Sequence, residues 1–166
     1  MQAGLTRLIV IAIAACLVAL APGKGGAEQA GAPVLEGAVK QRLVLDDPLL
    51  RSFAPTTIDV TFETSEGEKS GRYTGVLLWA LIEKAGLVDE AGRNASLRHT
   101  LLVTGRDGYA AALAVGELDP HLEGKSVILA YDGGEPAASR TALRLVVPGD
   151  VHGGRSVRDV ATIEVR

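Results

Sequence analysis

The hydrophobic pattern divides the chain near its start. Every residue from Leu8 to Ala21 is apolar, whereas apolar and polar positions interleave from Val34 onward. The apolar run follows a single positive charge at Arg7 and precedes small and polar residues from Pro22 to Ala32. That layout is an export signal: charged start, apolar middle, small-residue cleavage zone. The run is shorter than the roughly 20 residues needed to cross a bilayer. We therefore expect a signal peptide over residues 1–27, a linker over 28–33 and one domain over 34–166. The mature chain is then periplasmic or secreted and has no membrane span, with a retained N-terminal anchor as the alternative. Cys16 loosely fits a lipoprotein processing box, but Leu17 to Leu20 prolong the run past it. Lipid anchoring through Cys16 is thus the lesser reading.

Within the domain the pattern is mostly that of strands. Leu35 to Leu45 alternates loosely and predicts one or two short strands. Asp46-Asp47-Pro48 is a helix start, with Asp as the cap and Pro in the first turn, and Leu49 to Phe53 is the helix. Thr56 to Thr64 alternates cleanly, with Ile58, Val60 and Phe62 on one face. Ser65 to Arg72 reads as a polar turn. Thr74-Gly75 opens an amphipathic helix through Val76, Trp79 and Ile82, which stops at Gly86. Leu97 to Thr104 and Tyr109 to Val115 read as a hairpin around Gly105-Arg106-Asp107-Gly108. A helix or turn at Leu118-Asp119-Pro120 follows, then strands at Ser126–Tyr131, Ala142–Val147 and Val160–Val165. About seven short strands with few helices make an α+β domain, mostly β.

Composition narrows the function classes. The 166 residues carry a formal charge of -3, whereas nucleic-acid-binding domains are usually basic. Once the signal is removed no cysteine remains, so the mature chain has no disulfide and no thiolate for a metal. His99, His121 and His152 are widely spaced, and neither HExxH, CxxC nor an acidic calcium loop occurs. No metal-ligating set and no catalytic set can be picked from spacing. His99 reads as a structural strand residue, His121 as an exposed turn residue, and Asp46-Asp47 and Asp89-Glu90 as solvated loop charges. The Asn94-Ala95-Ser96 sequon reads as chance.

One stretch does carry candidate chemistry. The buried strand up to Val147 is stopped by Pro148-Gly149 and runs into His152-Gly153-Gly154-Arg155-Ser156-Val157-Arg158. Glycines let backbone N–H groups approach a ligand, and arginines fork onto oxyanions. His152 adjoins this turn and is the one histidine we retain as a candidate. On residue types alone, a surface hairpin with solvated arginines is the preferred reading.

Three pieces, taken in order, resemble a known family. They are Tyr73-Thr74-Gly75-Val76-Leu77-Leu78-Trp79, then Gly105-Arg106-Asp107-Gly108-Tyr109, then Leu143 to Gly149 running into Gly153 to Val160 and Ile163-Glu164-Val165. The set is similar to the molybdopterin-binding domain of the sulfite oxidase family, and most of all to its short, exported, single-domain members. The resemblance implies a mixed α+β fold and a molybdenum–molybdopterin cofactor with a phosphate tail. It also implies that Arg155, Ser156 and Arg158 hold that tail. Arg158 stands where the family usually has lysine, and Arg144 lies in a strand that the family also marks with arginine. The family binds its metal through a cysteine, and the matching position here is near Glu63. A carboxylate does not reproduce a soft thiolate. Two expectations follow. One is an exported molybdopterin-dependent oxidoreductase-like domain. The other is a catalytically inactive module that binds a pterin, another small anion or a periplasmic or redox protein partner.

Overall fold

A computed structural model describes residues 31–89, 94–134 and 137–166. The expected signal peptide, Cys16, residues 28–30 of the linker and Glu90 lie outside these described residues. Nine strands are described: β1 (Val34–Gly37), β2 (Leu43–Val44), β3 (Thr56–Thr64), β4 (Gly67–Leu77), β5 (Thr100–Gly105), β6 (Ala110–Ala114), β7 (Ile128–Gly133), β8 (Arg144–Val146) and β9 (Val160–Val165). Three short helices, α1 (Asp47–Arg51), α2 (Leu78–Ala85) and α3 (Val115–Leu118), lie between them, with 3₁₀ turns at Ala95–Arg98 and Gly153–Arg155. The class is α+β and mostly β, as expected.

The strands form two sheets, ordered β2-β1-β9-β5-β6 and β3-β4-β7-β8. In the first, β1 pairs parallel with β9 while its other pairs are antiparallel, so that sheet is mixed. The second is antiparallel throughout. One apolar cluster joins the two sheets and α2: Leu35, Leu101 and Ile163 meet Leu129, Leu143, Leu145 and Val147, and Leu78, Leu81 and Ile82 close over them. A second cluster, of Val60, Phe62, Tyr73, Ile128, Ala130 and Val146, lies on the other face of the four-stranded sheet. Alternation explains the split, since successive strand residues face opposite ways. Leu129 and Leu145 join the first cluster, whereas Ile128, Ala130 and Val146 join the second.

Several local expectations are corrected. Gly67–Arg72 is strand, not turn, and continues β4. Its side chains are polar because both faces of this part of the hairpin meet water; cross-strand pairs such as Thr61–Ser70 and Asp59–Arg72 hold it. Helix α2 begins at Leu78 rather than Thr74, because Val76 and Leu77 pair with Leu129 and Ile128. Gly75 sits where the register shifts, and a Cβ there would stand 2.2 Å from the Leu129 carbonyl oxygen. β5 begins at Thr100, after a 3₁₀ turn that takes Leu97 out of the strand. Strand β7 runs on through Asp132-Gly133, which pairs with Thr74 and Tyr73.

The Asp46 cap is confirmed, with its carboxylate accepting from the Leu49 N–H at 3.0 Å. Asp47 is no mere loop charge. Arg51 donates to it, and Arg140 Nε stands 2.6 Å from its Oδ1 in a contact too bent to be a hydrogen bond. Asp89 is exposed but meets His99 Nε2 at 3.0 Å, while His99 Nδ1 lies 3.1 Å from the Arg166 carbonyl. His99 thus ties the end of β9 to the start of β5, a structural role. His121 is exposed in a turn.

Candidate functional site

Arg144 is the one charged side chain within a strand that is otherwise apolar and buried. Its neighbours Leu143 and Leu145 face the main core, so alternation turns Arg144 to the other face, beside Val146 and Tyr73. It is only 8 % exposed. The guanidinium carbon lies 5.1 Å from the Tyr73 ring centroid, a cation–π contact. Nε and Nη1 are buried and have no hydrogen-bond partner among the described residues. Burial, above all, holds its pKa below the ordinary arginine value; Tyr73 opposes this, and the charge of Arg158 adds to it. Arginine nonetheless stays protonated.

A cavity of about 840 Å³ opens over this face of the sheet. Phe62 of β3, Gly71 and Tyr73 of β4, and Arg144 of β8 line it. Gly153, Ser156 and Arg158 form a wall from the loop before β9. Ser156 Oγ is buried without a partner among the described residues. Arg158 is in none of the ion pairs formed by the described residues. The cavity therefore presents a buried guanidinium and a buried hydroxyl without acceptors among the described residues, and beside them the exposed guanidinium of Arg158. Lys69 also lines it, but pairs with Glu66.

Of the five site residues expected from sequence, the structure brings three together: Arg144, Ser156 and Arg158. Arg155 departs from the expectation. It is not part of the cavity lining. Its Nε and Nη2 donate to both oxygens of Asp150 at 2.9 and 2.5 Å, and its Nη1 donates to Glu117 Oε2 at 2.9 Å. Hydrogen bonding to Asp150, most strongly, raises its pKa above the ordinary value. A guanidinium forked onto two carboxylates has few donors left for a ligand. His152 also stays outside the lining. Its Nδ1 lies 3.1 Å from the Glu63 carbonyl oxygen, which can only accept, so Nδ1 carries the proton.

Sequence reasoning missed Tyr73 and Phe62 as cavity residues. Tyr73 was within reach, since a tyrosine opens the Tyr-Thr-Gly-Val piece that carries the family resemblance.

The polar atoms around the cavity also test its fit to a molybdenum–pterin group. The guanidiniums of Arg144 and Arg158 and the Ser156 hydroxyl suit the phosphate end of such a group. The metal end is not matched. Glu63 lines the cavity where the family has its cysteine, and every polar donor there is oxygen or nitrogen. Among the described residues no group of three His, Cys, Asp or Glu is placed to hold a metal ion.

No family model matches this chain, and no curated protein matches it. Among solved structures it is similar to the crystal structure of the sulfane dehydrogenase SoxCD from Paracoccus pantotrophus, with a TM-score of 0.62 and 21% identity. The match covers 82% of this chain and 38% of that one, so this chain spans well under half of its neighbour's length. A likeness at this identity shows a shared fold.

Proposed function

We propose that this chain is an exported binding module on an oxidoreductase frame. Its cavity takes a small organic anion of the pterin-phosphate kind, and the chain by itself does not bind molybdenum as the enzymes it resembles do. The observation that carries this reading is Arg144, a buried guanidinium with two donor atoms that find no partner among the described residues, on the wall of a large cavity. A buried charge without a partner is costly unless something pairs with it. Arg144, Arg158 and Ser156 would hold the phosphate, and the aromatic rings of Phe62 and Tyr73 would border the body of the ligand.

A second reading keeps the enzyme. The shared fold with a sulfane dehydrogenase favours it. Bound to molybdenum, a pterin dithiolene supplies electron and oxygen-atom transfer. In that reading a partner protein completes the metal's ligands, because the described residues include no cysteine.

Two measurements separate the readings. Protein recovered from its native exported form is assayed for molybdenum; the binding reading expects none, and one metal per chain overturns it. Calorimetric titration with inorganic phosphate and a pterin monophosphate then tests the cavity. Each of Arg144→Gln and Arg158→Gln weakens binding by about tenfold or more, the worth of one charged hydrogen bond. Unchanged affinity in both variants overturns the assignment of the site.

A further inference from the structure

We infer that Arg155 is a positioning residue: its clasp on Asp150 and Glu117 fixes the loop wall that turns Ser156 and Arg158 into the cavity. This rests on the anion-binding reading above.

The loop from Pro148 to Arg158 is extended around Ser156, whose φ of -82° and ψ of 92° place it in the β region. Arg155 ends the 3₁₀ turn, and from Ser156 on neighbouring side chains point opposite ways. Val157 is fully buried in the main core, and its carbonyl accepts from the Leu145 N–H at 2.9 Å. Arg155 reaches out to Asp150 and to Glu117 in α3. Residues 155 and 157 thus leave the cavity, while 156 and 158 line it. Besides the His152 contact with Glu63, two ties hold the same loop. The Tyr109 hydroxyl donates to the Gly154 carbonyl, and the Glu63 N–H donates to the Val151 carbonyl at 2.8 Å. Both of these grip the loop ahead of Ser156. Next to Ser156 itself the chain is held on both sides, by the core burial and backbone bond of Val157 and by the Arg155 clasp.

Glu117 is itself held from several sides. The Ala114 N–H donates to its Oε1, and Lys125 lies 3.4 Å from its Oε2. The clasp therefore anchors the loop to α3, across 38 residues of chain. A lysine in place of Arg155 would retain the charge but lose the fork.

Positioning and direct binding make opposite demands on Asp150. If Arg155 bound the anion itself, removing a nearby carboxylate would free the guanidinium and tighten binding. If Arg155 positions the wall, the same change loosens the wall and weakens binding. The test uses the full chain, with inorganic phosphate as the probe, and compares Arg155→Gln, Arg155→Lys and Asp150→Asn. Calorimetry is run where each variant is fully folded. Hydrogen exchange of amides 149–158 is followed without phosphate. Arg155→Gln and Asp150→Asn should each weaken phosphate binding by about tenfold, the scale of one displaced charged hydrogen bond, with Arg155→Lys between them and the parent. The loop amides should exchange faster in both, with β5 and β9 unchanged. Tighter or unaltered binding in Asp150→Asn overturns the inference, as does unaltered loop protection. If the parent binds no phosphate, the anion-binding reading falls, and the exchange measurement alone decides whether the clasp holds the loop.

Discussion

Arg144 should weaken the empty fold that it serves. The informative change is Arg144→Met, which keeps an unbranched stem of similar length and removes the charge. Two buried donors, Nε and Nη1, lack partners among the described residues. Each orphaned donor costs about 1–3 kcal/mol. The change also gives up the cation–π contact with Tyr73, about 1–2 kcal/mol at a desolvated site. Methionine packs adaptably against Tyr73 and Val146. The balance is a gain of about 1–2 kcal/mol, or about 3–8 °C in Tm for a domain of this size. Phosphate should narrow the difference. At 100 times the parent's Kd, phosphate stabilises the parent by about 2.7 kcal/mol through linkage, and a variant that binds tenfold more weakly by about 1.4 kcal/mol. Thermal or urea unfolding with and without phosphate reads both effects. A variant less stable than the parent by more than about 1 kcal/mol, or one stabilised by phosphate as much as the parent is, would show that Arg144 is satisfied within the fold and is no ligand site.

Other expectations follow from the same geometry. Gly134 has φ of +75°, and a Cβ there would lie 2.2 Å from the Tyr73 ring; Gly134→Ala should therefore cost about 2 kcal/mol or more and perturb the tyrosine's near-ultraviolet signal. Leu145 is fully buried between the sheets, so Leu145→Ala should cost about 2–5 kcal/mol in urea unfolding. Glu117 is a carboxylate whose burial would raise its pKa, but the Ala114 N–H, Arg155 and Lys125 together hold it below its ordinary 4.5. A depressed folded-state pKa gives stability that is present above pH 4.5 and lost as pH falls through the folded value. Glu117→Gln should therefore flatten the acid limb of a stability–pH curve below that point and leave its slope near neutrality unchanged.

The parts of this fold that could be read in advance are those where one face is wet and the other dry. Ile58, Val60 and Phe62 marked β3, and Val160 to Val165 marked β9, because burial on one side imposes a period of two. The first half of β4 shows no such period. Gly67 to Ser70 is exposed on both faces, so a strand there leaves a polar run that looks like a turn. The boundary between β4 and α2 was hidden for the opposite reason. Val76, Leu77 and Leu78 are all apolar, and only pairing with Ile128 and Leu129, some 50 residues on, decides where strand gives way to helix. The site divides along the same line. Arg144 stood out as a charge inside an apolar strand. Arg155, Ser156 and Arg158 looked equivalent because residue type says what a side chain can bind but not which way it faces. Asp150 is near enough in sequence to have been considered as the partner of Arg155, but Glu117 is not. The phase of an extended segment is set where it is pinned, here by Val157 in the core and Arg155 on its two carboxylates. A shift of one residue would carry Arg155 into the cavity and leave Ser156 and Arg158 outside. The anion site is therefore a property of that register as much as of its arginines, and grafting Ser156 and Arg158 onto another loop without the clasp should not transfer it.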